Sequence, residues 1–126
     1  MVSGSRILLA DDDPQLLETV ADGLTQLGAE VIRADSGAEL IEQLANEGPF
    51  DLIITDVAMP WMSGLEAIHS ARSVGLRTPV IIMTALPGER IAAQTGMLGG
   101  HAALLRKPFT LSELESVVTT SLSGAR

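Results

Sequence analysis

Cysteine is absent from the 126-residue chain, which removes disulfides, thiolate nucleophiles and Cys-based zinc sites. Aromatic residues are nearly missing as well. Two Phe, one Trp and no Tyr leave too few ring faces for stacking bases or flavins. Positive charge is also scarce, with eight Lys plus Arg against sixteen Asp plus Glu and a formal charge of -8. Direct contact with nucleic acid or an anionic membrane is therefore opposed by electrostatics. No apolar run approaches the roughly 20 residues that a bilayer span requires, so no membrane insertion is expected. The stretch Ile7 to Ala10 is short for a signal sequence and runs into three aspartates, so a soluble protein not exported by that route is expected.

What is present suffices for one core. Hydrophobic residues make up 46% of the chain, and a chain of this length can bury roughly two thirds of the surface it exposes when unfolded. Residues 1–126 read as a single domain with its core at about 5–122, too short for two. Short β-branched or Leu-rich runs alternate with stretches of helical period, the pattern of βαβ units around a parallel sheet. Strands are predicted at 6–10, 30–34, 52–55, 79–84 and 102–106. Between them, apolar stripes recur at three or four residue spacing: Leu16, Leu17, Val20, Leu24 and Leu27; Leu40, Ile41 and Leu44; Leu65, Ile68 and Val74; Leu114, Val117 and Val118. Ser36 with Glu39, Ser63 with Glu66 and Thr110 with Glu113 have the spacing of capping boxes at helix starts. The glycine-rich stretch from Pro87 to Gly100 is the weakest helix candidate and the expected most mobile element, and the tail after Leu122 reads as frayed.

Parallel strands joined by right-handed crossovers bring their C-terminal ends to one edge of the sheet, where open α/β folds gather ligands. The first strand ends at Asp11, Asp12 and Asp13, the third at Asp56, the fourth at Thr84 and the fifth at Lys107, the only lysine. Asp13 has a local explanation as an N-cap followed by Pro14 at the first helical position. Asp11 and Asp12 have none. If the first, third, fourth and fifth strands lie side by side, three carboxylates crowd together, and like charges about 4 Å apart repel by roughly 4 kcal/mol at an effective dielectric near 20. A hard, oxygen-seeking cation such as Mg²⁺ relieves this. One carboxylate can then attack a phosphoryl donor while an ammonium and a hydroxyl meet the equatorial oxygens, roles that suit Asp56, Lys107 and Thr84.

The runs Ile7-Leu8-Leu9-Ala10-Asp11-Asp12-Asp13-Pro14, Asp56-Val57-Ala58-Met59-Pro60-Trp61-Met62-Ser63-Gly64, Met83-Thr84-Ala85 and Lys107-Pro108-Phe109 together resemble a response-regulator receiver domain of bacterial two-component signalling. The resemblance covers nearly the whole chain. It implies a flavodoxin-like (βα)5 three-layer α/β sandwich with a five-stranded parallel sheet of order 2-1-3-4-5. It further implies a cytoplasmic phosphoacceptor, not an enzyme in its own right, that assists its own phosphorylation and slow dephosphorylation. The donor would be a histidine kinase or histidine phosphotransfer protein, and the switched surface near residues 86–122 would meet a downstream effector protein or domain. Carried over residue by residue, Asp56 is the phosphoacceptor, Asp12 a direct Mg²⁺ ligand, Asp11 an acid acting on the metal largely through water, and the Ala58 carbonyl a further ligand. Thr84 is the hydroxyl that moves onto the phosphoryl group, and Lys107 is the counter-ion.

Several positions depart from the common family pattern. Ser63 stands where an acidic residue is usual and caps a helix about as well. Leu104 replaces an aromatic residue that often swings inward with the threonine, so output is expected to rely on the 87–100 segment and the fifth strand. Ala58 and Leu86 are apolar where side chains influence the hydrolytic water, so a long-lived phosphoryl group is expected. His69 is expected to face solvent and His101 to lie in a polar loop, neither serving as a ligand. Met59, Met62 and Met83 read as packing, and Trp61 as either a partner contact or a lid over the core. Among rival classes, an aspartyl phosphatase would need a second carboxylate two residues after Asp56, where Ala58 stands. A nucleotide-binding flavodoxin-like protein would need a phosphate-cradling glycine loop after the first strand, where aspartates stand instead. A degenerate, non-phosphorylated receiver acting as an interaction module is the better alternative, opposed by the completeness of the Asp11, Asp12, Asp56, Thr84 and Lys107 set.

Overall fold

The computed structural model describes residues 2–59, 62–85, 93, 95–96, 98 and 101–124. Its elements are β1 (Arg6–Ala10), α1 (Pro14–Gln26), β2 (Glu30–Ala34), α2 (Gly37–Glu47), β3 (Leu52–Asp56), α3 (Gly64–Ser73), β4 (Val80–Thr84), β5 (Ala102–Arg106) and α4 (Leu111–Gly124). The five strands form one sheet of order β2-β1-β3-β4-β5, with every neighbouring pair parallel. The fold class and strand order expected from the sequence are thus observed. Strand limits agree to within one residue, with Asp56 closing β3 and Val80 opening β4.

The central strands are buried along their whole length, which is why Leu52 to Ile54 and Val80 to Met83 read as continuous apolar runs instead of alternating ones. Side chains alternate between two core layers. Ile7, Leu9 and Ile54 pack with Val20 and Leu24 of α1 and with Leu114 and Val118 of α4. Leu8, Ile53 and Ile82 pack on the other face with Leu40 of α2 and Leu65 and Ile68 of α3. Each fully buried aliphatic side chain contributes roughly 1.5–3 kcal/mol, and cutting Leu24 back to Ala would cost about 2–5 kcal/mol.

Helix starts follow their caps. Asp13 accepts from the amides of Gln15 and Leu16 with Pro14 in the first turn. Ser63 and Glu66 form a reciprocal box, and so do Thr110 and Glu113. At α2 the pattern differs. Ser36 accepts from the Glu39 amide, but the Glu39 carboxylate reaches past it to the Asp35 amide at 2.8 Å. The side chain still satisfies a donor at the helix entrance, one residue further out.

Several local expectations change. Val74 belongs to no apolar stripe: as the C-cap of α3 it is 85% exposed, because the helix has ended before its side chain can turn to the sheet. His101 is half-buried directly before β5, where its carbonyl accepts from Val80 N and its Nε2 is buried without a hydrogen-bond partner among the described residues. Beyond Leu122, α4 continues to Gly124, and residues 125–126 of the tail lie outside the described residues. His69 is exposed, and Met59 and Met83 are core residues, as expected. Leu86, Trp61 and nearly all of the 87–100 segment lie outside the described residues. Within that segment Leu98 is buried against the α2–α3 layer. No helix among the described residues is long and apolar enough to cross a membrane.

Candidate functional site

The sheet order makes β3 the neighbour of both β1 and β4, and β4 the neighbour of β5. Four strand ends from distant parts of the sequence therefore meet at one edge. Asp11 follows β1 and is buried, its amide held by the Ala34 carbonyl at 3.1 Å. One of its carboxylate oxygens accepts from the Asp13 amide and the other from Lys107 Nζ, each at 2.9 Å. Asp12, next along, is exposed. Asp56, only 7% exposed at the end of β3, accepts from the Ala58 amide at 3.2 Å through Oδ1 and from Lys107 Nζ at 2.9 Å through Oδ2.

Lys107 is placed by its backbone. Its amide donates to the Thr84 carbonyl at 2.7 Å, which ties the exit of β5 to the buried end of β4. Similarly, the Val57 amide donates to Met83 at 2.9 Å, fixing the turn that leaves Asp56. That turn exposes Ala58. Beneath it, α3 starts so close to β3 that a Cβ on Gly64 would lie 2.1 Å from the Asp56 carbonyl oxygen. Only glycine fits there.

Asp11, Asp12 and Asp56 each offer an oxygen within 4.8 Å of the others. Two unit charges at that spacing repel by roughly 3 kcal/mol at an effective dielectric near 20. The electrostatics of the pocket record the crowding. Burial pushes the Asp11 carboxyl above its usual range and the Asp56 charge adds to this, while the Asp13 amide and Lys107 pull the other way. For Lys107, burial works to lower the ammonium, but its bonds to Asp56 and Asp11 outweigh it and hold the group above an ordinary lysine. One ammonium thus offsets part of the charge of three carboxylates. The donor set is all oxygen, with one carboxylate open to solvent, and this is the chemistry of a hard divalent cation that keeps some of its water. The residues fit Mg²⁺.

Of the residues singled out by sequence, Asp11, Asp12, Asp56 and Lys107 converge, Thr84 joins them through its backbone, and Ala58 joins them through its amide. Asp13 stands apart as a helix cap. Two features escaped the sequence reading. The bonds from Asp11 to the Asp13 amide and from Asp56 to the Ala58 amide are Asx turns, in which an aspartate accepts from the amide two residues on. The second is Thr55, whose fully buried hydroxyl bonds to the Asp56 carbonyl. Within an apolar strand it reads only as a β-former.

A doubly wound parallel α/β protein with an acidic, lysine-braced pocket at the carboxyl edge of its sheet is the class defined by this geometry. Residues 7–119 match the response regulator receiver domain family. Response regulator MprA of Mycobacterium sp. (strain KMS) is 38% identical over 111 residues, covering 86% of this chain and 46% of the relative. The Mycobacterium leprae (strain TN) protein of the same name is also 38% identical, with 47% of its length covered. The chain thus spans about half the length of these curated relatives. Among solved structures, the Francisella response regulator 1452 receiver domain superposes with a TM-score of 0.87 at 27% identity, over 98% of this chain and 100% of that one. A response regulator receiver domain protein from Clostridium thermocellum gives 0.82 at 29% identity, over 94% of each. The chain belongs to the response regulator receiver domain family of two-component signalling.

Proposed function

We propose that this receiver domain is a phosphorylation switch in which Asp56 accepts a phosphoryl group from a phosphohistidine on a histidine kinase or histidine phosphotransfer protein. The observation that carries the reading is the convergence of Asp11, Asp12 and Asp56 around the Lys107 ammonium. In the step, an Asp56 carboxylate oxygen attacks phosphorus, the new P–O bond forms as the P–N bond breaks, and the departing imidazole nitrogen keeps the electron pair and takes a proton from solvent. Asp12, Asp56, the Ala58 carbonyl and, through water, Asp11 would hold Mg²⁺. When bound, the ion supplies charge neutralisation for the carboxylates and for the oxygens of the incoming group.

The chain's own residues do the rest. Lys107 neutralises the acceptor before transfer and would meet a phosphoryl oxygen afterwards. Thr84 at the buried end of β4 supplies a hydroxyl donor. Beside Lys107, a recess of about 380 Å³ lined by Leu16, Ala85, Pro108 and Phe109 offers an apolar seat for residues flanking the donor histidine. The effector would read the surface near residues 86–122, where Leu104 and Leu111 are 40% and 53% exposed. The expected location is the cytoplasm, where the donor proteins act.

Intact mass after incubation with a small phosphodonor and Mg²⁺ tests this. The parent should gain one phosphoryl group and Asp56→Asn none. Absence of any gain in the parent would favour a non-phosphorylated interaction module.

A further inference from the structure

Thr55 occupies the strand position before the acceptor, and a β-branched residue there needs no explanation beyond packing. Its hydroxyl does. The side chain is 0% exposed, and Oγ1 donates to the Asp56 carbonyl at 3.1 Å. A Cβ on Gly64 would meet that Oγ1 at 2.6 Å and the Thr55 methyl at 2.9 Å, so α3 holds the threonine from the far side. The peptide leaving Asp56 is therefore gripped twice: its carbonyl by the Thr55 hydroxyl, its Val57 amide by the Met83 carbonyl at 2.9 Å. The next peptide carries the Ala58 amide, which donates to the Asp56 carboxylate at 3.2 Å. That second peptide is also held by its own carbonyl, which accepts from the Gly64 amide at 3.2 Å. Because the two units share Val57, rotation of the first about its flanking bonds would still shift the Ala58 amide on the carboxylate.

We infer that Thr55 is a positioning residue: its buried hydroxyl sets the Asp56–Val57 peptide, and through it the Ala58 amide on the Asp56 carboxylate and the metal affinity of the pocket. Its effect on metal rests on the Mg²⁺ reading above, whereas its effect on the Ala58 amide does not. Valine has the same branching and nearly the same volume without the hydroxyl, so it separates hydrogen bonding from packing.

The test compares Thr55→Val and Thr55→Ser with the parent. The Ala58 amide proton is followed by NMR in metal-free buffer, and Mg²⁺ affinity is measured by calorimetry. Thr55→Val should move the Ala58 amide resonance upfield, raise its exchange rate, and weaken Mg²⁺ binding by about tenfold, the low end for groups that orient metal ligands. Thr55→Ser should restore both towards the parent. Should the valine variant fail to fold, Thr55→Ala against Thr55→Ser supplies the same contrast. A variant without the hydroxyl that keeps the parent's Ala58 resonance and Mg²⁺ affinity overturns the inference. A parent that binds no Mg²⁺ while the Ala58 amide still shifts would instead overturn the metal reading and leave the positioning role intact.

Discussion

The ammonium of Lys107 lies 2.9 Å from the carboxylate of Asp56, a residue 51 positions earlier in the chain. The same ammonium touches Asp11 at 2.9 Å, so one cation bridges the two buried acids of the pocket. A divalent ion would draw on the same two carboxylates. Lys107 is thereby an internal competitor for metal as well as a counter-charge, and removing it separates the two effects.

Lys107→Met is expected to bind Mg²⁺ more tightly than the parent, by about tenfold, because the carboxylates lose their only close cation among the described residues. Without metal the variant should be less stable by about 3 kcal/mol, the cost of stranding buried charge. Chemical denaturation at zero and at millimolar Mg²⁺ measures both. A variant equally stable with and without the ion would contradict the account.

Asp12 differs from the other two carboxylates of the pocket, Asp11 and Asp56, in being exposed. Asp12→Asn should leave stability within about 0.5 kcal/mol of the parent, as for most surface changes, yet weaken Mg²⁺ binding by about tenfold through loss of one of three anionic donors. Calorimetry paired with a melting curve reads the separation.

At Gly64 two tendencies oppose each other. Alanine improves helix propensity by up to about 1 kcal/mol, but its Cβ would fall 2.1 Å from the Asp56 carbonyl oxygen, and relief requires movement of backbone. Overpacking should win, destabilising Gly64→Ala by about 2 kcal/mol net and displacing the acceptor turn. Phosphoryl uptake should fall with it. A melting temperature above the parent's would refute this balance.

Ala58 is exposed beside the acceptor and carries no polar side-chain atom that could orient water. Once Asp56 is phosphorylated, Ala58→Asn should shorten the lifetime of the acyl phosphate several-fold, about 1 kcal/mol in barrier. The decay of the phosphorylated mass with time checks it.

Much of this architecture could be read from residue order alone, and the reasons are local. The continuous apolar runs of β3 and β4, the capping signals at Asp13, Ser63 and Thr110, and the position of polar residues just past each strand are short-range features. What could not be read depends on reach. Whether the Glu39 carboxylate meets Ser36 or Asp35 turns on side-chain torsions, and the exposure of Val74 depends on where α3 stops. The shared grip of Lys107 on Asp11 and Asp56 exists only once β1, β3, β4 and β5 are in register. Family resemblance alone supplied the role expected of the Ala58 carbonyl, which no spacing rule would have assigned.

A backbone link of 2.7 Å at this edge joins the Lys107 amide to the Thr84 carbonyl. Through it the tips of β4 and β5 are coupled: a displacement of the Thr84 main chain would carry the Lys107 main chain with it. Charge compensation and mechanical output would then advance in step instead of as separate events, and a lesion that slackens this tether should uncouple the two even with every pocket side chain in place.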